Sequence, residues 1–358
     1  LLLTHGREHA AQELEAAHGR LAAYYADRLA ASGEVPRYHD RVWQAQALEM
    51  VYHRLCRAPH TELYTALNGF MALLQARPAL AHRWATVMVQ AGSDAGASKV
   101  ADWGQRLSTG LAACDAARSP DAVQMFSALL KDGNLEDRWR AAALDQRGWY
   151  RSLSGEYAGA TGDLSMAIEL VPEDPVHWAN RGLVYLLMGQ PPEALADFDQ
   201  SLVHDPGYAP AFACRAWTYR HMEQYEDALA DFQRALDLDP DSVWALANRG
   251  ATYQRMGQTE EALTDFERAI ELYPDYAWVR ANRAEAYPEM GRYREALSDL
   301  NWALERDPDY ARAYGSRANM YWQLGRYEDA VADFDRALAA DPDDAWLLSR
   351  RGDAYRQL

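Results

Sequence analysis

Lysine is scarce in this chain, and positive charge is outweighed by negative charge. Lys99 and Lys131 are the only lysines among 36 basic residues, whereas 53 residues are acidic, which gives a formal net charge of -17. Such a chain repels phosphate backbones and anionic lipid surfaces as a whole. We therefore expect neither a nucleic acid nor a membrane as the partner.

Cysteines and long apolar runs are also few. Cys56, Cys114 and Cys214 lie far apart, which excludes a disulfide framework and a closely spaced set of metal ligands. No apolar run approaches the roughly 20 residues that span a bilayer, and the three leucines at residues 1–3 are too few for a signal-peptide core. A cytoplasmic protein without metal or cofactor is expected.

The chain does contain a regular repeat. Prolines recur every 34 residues, at Pro172, Pro206, Pro240, Pro274, Pro308 and Pro342. Each interval has the pattern of two amphipathic helices, and the turn between them often carries a glycine, at Gly155, Gly189, Gly257, Gly291 and Gly325. A fixed period of this length predicts an all-α array in which each unit packs on its neighbours.

One unit, WANRGLVYLLMGQPPEALADFDQSLVHDP from Trp178 to Pro206, shows the full pattern of a small residue, Tyr, a Gly turn, Ala, Phe and a terminal Pro. This pattern resembles the tetratricopeptide repeat and covers residues 139–358, as six units and the first helix of a seventh. The resemblance implies a right-handed α-α superhelix, a tetratricopeptide solenoid. It further implies that the first helices form a concave wall that binds a protein or an extended peptide.

Two charged columns recur once per unit. Arginines stand one residue before the small column, at Arg147, Arg181, Arg215, Arg249, Arg283, Arg317 and Arg351. Aspartates recur on the second helix, at Asp163, Asp197, Asp231, Asp265, Asp299 and Asp333. Because a guanidinium suits bidentate pairing with a carboxylate, we expect these residues to pair between helices, as a structural Arg/Asp ladder that does not select a partner.

Binding is expected in the variable columns of the wall. Asparagine precedes the arginine at Asn180, Asn248 and Asn282, and in similar repeats an asparagine there hydrogen-bonds the backbone of a peptide. Bonding only to water or to a neighbouring turn is the alternative for these side chains. The other predicted wall residues are Trp149, Leu183, Leu186, Trp217, Arg220, Gln254, Asn319 and Trp322.

The early wall positions are more apolar than the later ones. Trp149, Leu183, Leu186 and Trp217 predict a hydrophobic anchor site. The alternative is that the N-terminal region covers this apolar face. A further column, with Trp244, Trp278 and Trp346, either stacks on a partner or covers the turn.

Residues 1–138 are helical by pattern but lack the 34-residue register, which predicts irregular helical hairpins before the superhelix. Candidate helices run over 7–31, 37–57, 60–75, 78–92, 98–115 and 119–131. The segments 17–32 and 47–59 resemble the helical linker of bacterial STAND-type NTPases, whose repeat region senses a ligand. The segment 92–99, GSDAGASK, superficially resembles a phosphate-binding loop, but its spacing is wrong and no strand precedes it.

These observations favour a non-catalytic binding module. We expect the ligand-sensing arm of a larger bacterial signalling ATPase, with a stand-alone adaptor or scaffold as the alternative. An enzyme is disfavoured, since no catalytic grouping stands out. A clamp for a C-terminal carboxylate is disfavoured because such clamps usually use lysines and the repeats contain none. The absent initiating Met and the incomplete seventh unit indicate a fragment whose open end a second copy could cap.

Overall fold

The computed structural model describes residues 2–31, 40–116, 119–132 and 134–358. Within these ranges every regular element is helical, and no strand occurs. The chain divides into two compact units, Leu1–Gln190 (unit 1) and Pro191–Leu358 (unit 2), with the boundary between the two helices of the second repeat. The predicted change of register at residue 138 is a different boundary and stays a prediction.

Unit 1 contains nine helices in its described residues. They are α1 (Leu2–Ala31), α2 (Arg41–Arg57), α3 (Pro59–Ala76), α4 (Pro78–Asp94), α5 (Ser98–Asp115), α6 (Ser119–Asp132), α7 (Asp137–Leu153), α8 (Tyr157–Leu170) and α9 (Pro175–Leu187).

The helix boundaries of unit 1 follow its prolines. Pro59, Pro78 and Pro175 occupy the first helical position of α3, α4 and α9, where the missing N–H costs no helical hydrogen bond. The predicted helices from residue 60 to residue 131 are confirmed to within two residues at each end. The first prediction began five residues late, and the start predicted at 37–39 lies outside the described residues.

Unit 2 contains ten α-helices in regular alternation. They are α10 (Pro191–His204), α11 (Ala209–His221), α12 (Tyr225–Leu238), α13 (Val243–Arg255), α14 (Thr259–Leu272), α15 (Ala277–Ala286), α16 (Tyr293–Arg306), α17 (Ala311–Gln323), α18 (Tyr327–Ala340) and α19 (Ala345–Gln357). Consecutive helices pack as antiparallel pairs, and the first helix of each repeat also contacts the first helix of the next.

Small residues allow the close approach within each pair. Ala228, Ala262 and Ala296 are fully buried on the second helices. A Cβ added to Gly250 would lie 2.9 Å from Cε1 of Phe266 and 3.1 Å from the carbonyl oxygen of Ala262, so the position has no room for a side chain. These columns are therefore part of the packing that fixes the spacing of the helices.

Pro288 interrupts the pattern in one repeat. Helix α15 ends at Ala286 and is only ten residues long, and a 3₁₀ turn spans Tyr287–Met290. Because proline lacks the N–H that would continue the α-helical ladder, the last turn tightens at this point. Pro288 therefore replaces the last α-helical turn of this first helix by a 3₁₀ turn.

The turns inside the repeats require a left-handed residue. Gly257, Gly291 and Gly325 have φ of +73°, +70° and +72°, whereas Glu223 occupies the equivalent place with φ of 61°. A residue with a Cβ pays about 1–2 kcal/mol for this conformation. The backbone at Glu223 is therefore strained, whereas the backbone at the equivalent glycines is not.

Replacement of Glu223 by glycine is expected to stabilise the chain. The strain removed exceeds the entropy that glycine adds to the unfolded state, which leaves a net gain of up to about 1 kcal/mol. Urea unfolding followed by circular dichroism measures the change. Gly257→Ala is the matched control and should destabilise the chain, although no atom lies within 4 Å of the added Cβ. A loss of stability in Glu223→Gly would contradict this account.

The Arg/Asp ladder is present in both units. Arg249 donates from Nε to Oδ2 and from Nη2 to Oδ1 of Asp265, both at 2.7 Å. The same bidentate geometry joins Arg147 to Asp163 in unit 1 and Arg215 to Asp231, Arg283 to Asp299 and Arg317 to Asp333 in unit 2. Arg181 and Asp197 lie in different units, so their pairing stays a prediction.

Three ladder arginines of unit 2 that are paired with an aspartate use a further donor to contact the preceding repeat, and Nη1 of Arg351 donates in the same way to Asp335 at 2.7 Å. Nη1 of Arg215 donates to Asp199 at 2.6 Å, and Nη1 of Arg249 and of Arg317 donate at 2.7 Å to Gln233 and Asn301. In each case the acceptor stands 16 residues before the arginine, whereas the paired aspartate stands 16 residues after it. One guanidinium therefore fastens its own two helices and the second helix of the repeat before.

Among the described helices, none combines the length and the apolar character that crossing a membrane requires.

Candidate functional site

Unit 2 contains a groove of about 1450 Å³. Its lining comes mainly from α11, α13, α15, α17 and α19, which are the first helices of successive repeats. Six of the predicted wall residues line it, namely Trp217, Arg220, Asn248, Gln254, Asn282 and Asn319. Because the repeat aligns these positions in space, residues distant in sequence form one continuous surface.

Aromatic rings occupy part of this groove. Trp217 contacts the imidazole of His221 edge to face, with ring centroids 4.6 Å apart, and lies 6.1 Å from Trp244. Trp244 and Trp346 are 36% and 48% exposed, respectively, while Trp278 is half-buried. Large rings that remain accessible in a groove offer apolar area to a ligand at little conformational cost.

A polar cluster lies beside the tryptophans. Arg312 donates to Glu285 at 2.6 Å and 3.1 Å and to Oδ1 of Asn282 at 3.3 Å. Ser316 donates to the same carboxylate at 2.7 Å. These contacts satisfy the charge of Arg312, so this arginine is a fixed part of the groove wall.

Arg220 has a different environment. Its Nε is buried and has no hydrogen-bond partner. Burial and the positive charges of Arg255 and Arg312 lower the pKa of Arg220 to about 10. The groove thus holds a guanidinium that is repelled by its neighbours and lacks a compensating carboxylate.

Acidic residues also line the groove, but most of them already have partners. Glu285 is bound to Arg312, Glu289 accepts a hydrogen bond from Thr259, and Asp344 caps the N-terminus of α19. None of them is among the charges that act on Arg220. The positive potential at Arg220 is therefore available to an incoming group.

The predicted asparagines are held by their own helices. Nδ2 of Asn248 donates to the carbonyl of Trp244 at 2.9 Å, and Nδ2 of Asn282 donates to the carbonyl of Trp278 at 2.7 Å. The two residues are 4% and 3% exposed. One N–H group of each side-chain amide is thus occupied. A ligand can form hydrogen bonds only with the other polar groups of these carboxamides.

Asn319 and Trp322 lie on α17, the first helix of the repeat that follows Asn282. Oδ1 of Asn319 is buried without a partner, and this residue lines the groove. Trp322 does not line it; the guanidinium of Arg350 lies 5.3 Å above its ring, and its Nε1 is buried and unbonded. Of these two predicted wall residues, Asn319 therefore lines the groove and Trp322 does not.

The remaining predicted wall residues belong to unit 1. Trp149, Leu183 and Leu186 are half-buried and line no described cavity. Trp217 lies in unit 2, so the anchor site that combines all four stays a prediction. In unit 1 the structure shows what Asn180 contacts: its Nδ2 donates to both oxygens of Asp145, at 3.0 Å and 3.1 Å.

Asp145 also contacts a buried histidine. Nδ1 of His177 lies 3.0 Å from Oδ1 of Asp145, and Nε2 lies 3.7 Å from Oδ2 of Asp174. Burial alone would lower the pKa of His177, but the hydrogen bond to Asp145 and the charges of Asp145 and Asp174 outweigh it and raise the pKa above 6.5. Protonated His177 is thus stabilised by the fold.

This contact predicts a pH-dependent contribution to stability. Because the pKa of His177 is higher in the folded chain, its contribution is complete below about pH 6.5 and is lost as the pH rises through the folded-state value. The stability lost in His177→Gln should therefore be larger at about pH 6 than at about pH 9. Urea unfolding at both values measures it, with the exposed His60→Gln as control. An equal loss at both pH values would refute the prediction.

For one column of the groove, the sequence left two roles open, which were stacking on a partner and covering the turn. Trp244, Trp278, Arg312 and Trp346 follow one another at the 34-residue period, and all of them line the groove. The exposure of Trp244 and Trp346 shows an accessible surface, which agrees with the first of these roles.

Comparison with known families addresses the repeat directly. Residues 207–275, 241–309 and 281–345 match family models of the tetratricopeptide repeat. Together these matches extend over residues 207–345, which is less than half of the chain. The resemblance seen in the sequence is confirmed for these residues, and the groove lies largely within this range.

Solved structures agree on the tetratricopeptide fold. A tetratricopeptide repeat protein from Parabacteroides merdae is 20% identical, with a TM-score of 0.54 over 71% of this chain and 98% of that chain. The pilF protein of Pseudomonas aeruginosa is 16% identical, with a TM-score of 0.54 over 62% and 99%.

A larger assembly shows the same similarity. One chain in the crystal structure of the APC/C hetero-tetramer Cut9-Hcn1 is 14% identical, with a TM-score of 0.63 over 87% of this chain and 63% of that chain. At these identities the likeness concerns the fold alone. The predicted fold class, an all-α tetratricopeptide solenoid, is confirmed. No curated protein matches the chain.

Proposed function

We propose that the chain is a non-catalytic module that binds a segment of another protein, or a peptide, in the groove of unit 2. The observation that carries this proposal is the unpartnered charge of Arg220 within a groove lined by first helices. A buried guanidinium without a counter-ion lowers the stability of the free chain, which is reasonable where a ligand supplies the counter-ion. Tetratricopeptide repeats are protein-interaction modules, which agrees with this role.

The groove favours a segment of mixed character. A carboxylate beside Arg220 would restore a charge-assisted hydrogen bond and relieve the repulsion from Arg255 and Arg312. Apolar side chains of the same segment would pack on Trp217, Trp244 and the neighbouring rings. An internal Asp or Glu supplies such a carboxylate, so the ligand needs no free C-terminus.

Selection of displayed random peptides on the whole chain tests this function. We expect enriched peptides to combine an acidic residue with aromatic or aliphatic residues, and to bind at least ten-fold more weakly to Trp244→Ala, since exposed rings dominate such contacts. Trp302→Ala, a tryptophan outside the groove, is the control. Binders that ignore Trp244 would place the site elsewhere, and failure to enrich any peptide would overturn the proposal.

The cellular context is a finer proposal. The segments 17–32 and 47–59 support the ligand-sensing arm of a bacterial STAND-type signalling ATPase, acting in the cytoplasm; an adaptor that assembles other proteins is the alternative. The reading frame upstream of Leu1 distinguishes them. A nucleotide-binding module there supports the sensing arm, whereas a start codon shortly before Leu1 supports the adaptor.

A further inference from the structure

A second cavity, of about 640 Å³, lies in unit 1 and is lined by several basic residues. It lies between α3, α5, α6 and α7. Both lysines of the chain, Lys99 and Lys131, line it together with Arg106 and Arg140, and among the described side chains of the lining only Asp102 is acidic. In a chain with a net charge of -17, positive charges outnumber negative charges by three among these described side chains.

These cations have no counter-ions among the described residues. The recorded contacts of Lys99 and Arg106 are with aromatic rings, 5.7 Å from the centroid of Tyr64 and 5.7 Å from that of Trp103. Arg140 contacts the carbonyl of Leu135 at 3.5 Å, while its Nε is buried and unbonded. Lys99, Arg106 and Lys131 are exposed, whereas Arg140 is half-buried.

Helix stability does not account for two of these positions. Lys99 stands in the first turn of α5 and Arg140 in the first turn of α7. A cation near the positive end of a helix dipole is unfavourable, by about 0.3–1 kcal/mol. The same N-termini favour a nearby anion, because their free N–H groups point towards it.

The pocket is not a glycine-rich phosphate loop. Lys99 ends the segment 92–99 but belongs to α5, and a Cβ on Gly92 would clash with the backbone of Ala101. Gly92 is therefore required where α4 and α5 pack closely. The charge of the pocket comes from side chains on helices and not from a loop.

We propose that this pocket binds a small anion that carries two or more phosphate groups. An excess of three positive charges matches a diphosphate or triphosphate better than a single phosphate or carboxylate. Guanidinium groups bind phosphate oxygens in a bidentate manner, and lysine adds a mobile point charge. The volume admits such a group and excludes a nucleic-acid duplex.

The lysine content provides a direct test on the whole chain. Reductive methylation with ¹³C-formaldehyde keeps the lysine charges and yields two dimethyl-lysine signals in NMR spectra, which Lys99→Gln and Lys131→Gln assign. Titration with sodium tripolyphosphate should shift both signals together and saturably. Equal shifts with sodium chloride at the same ionic strength would overturn the proposal, and so would a shift of only one signal.

Calorimetry on unmodified protein defines the ligand. Tripolyphosphate should bind at least ten-fold more tightly than inorganic phosphate or citrate, and Lys99→Gln/Lys131→Gln should lose at least ten-fold in affinity. Arg268→Gln, an exposed arginine of unit 2, should bind as the native chain does. Tighter binding of ATP than of tripolyphosphate supports a nucleotide as the source of the phosphates, and weaker binding supports an inorganic chain. Preference for citrate would overturn the phosphate class.

Discussion

Arg249→Leu is expected to lower the free energy of unfolding by about 3–5 kcal/mol while peptide binding is retained. The guanidinium and its partner Asp265 are 15% and 6% exposed, so the change leaves a carboxylate buried without its charge partner. Neither residue lines the groove. Urea unfolding and the affinity for a selected peptide measure the two effects.

A double-mutant cycle separates lost pairing from lost packing. Arg249→Leu/Asp265→Leu should recover most of the stability, because no uncompensated charge remains. The exposed Arg268, which pairs with Asp241, is the matched control, and Arg268→Leu should change stability by less than about 1 kcal/mol. Lost binding with unchanged stability in Arg249→Leu would show that the ladder contacts the ligand.

Arg220→Gln is expected to have the opposite profile. Affinity for an acidic peptide should fall ten-fold to a hundred-fold, which corresponds to about 1.4–2.7 kcal/mol. The free energy of unfolding should stay the same or rise, because the change removes a buried charge that Arg255 and Arg312 repel. Fluorescence anisotropy with a labelled peptide and urea unfolding measure the pair of effects.

Two controls test whether the charge of Arg220 is the cause of the change in affinity. Arg326→Gln removes an arginine outside the groove and should leave affinity unchanged. Replacing the acidic residue of the peptide by its amide should weaken binding to the native chain but not to Arg220→Gln, since the interaction partner is then already absent. Equal weakening on both chains would mean that another group receives the carboxylate.

The period alone predicted most of the fold. The 34-residue spacing located the helix pairs and the turns, and it predicted that the ladder residues would face each other. It could not predict that Glu223 has a left-handed backbone conformation, because the turn position was identified only in the repeats that have glycine there. Nor could it predict the packing of residues 1–138, where no repeat relates one helix to the next.

The site was predictable only in part. Column analysis named Trp217, Arg220 and Gln254, which line the groove. It left open whether the carboxamides of Asn248 and Asn282 bond a peptide or a neighbouring turn, since that choice depends on local rotamers and burial, and in the structure they donate to carbonyls four residues earlier. The sequence did not predict the basic pocket either, because its four cations lie on helices that share no repeat register.

The further donor of the ladder arginines has a consequence for how the array denatures. When one repeat unfolds, the neighbouring repeat loses the hydrogen bond that involves Gln233 or Asn301. The boundary between folded and unfolded repeats therefore has a high free energy. In nearest-neighbour descriptions of repeat proteins, a large coupling relative to the intrinsic stability of one repeat lengthens the cooperative unit. Residues 191–358 should then melt in one transition, and Arg249→Leu should split it near the fourth repeat.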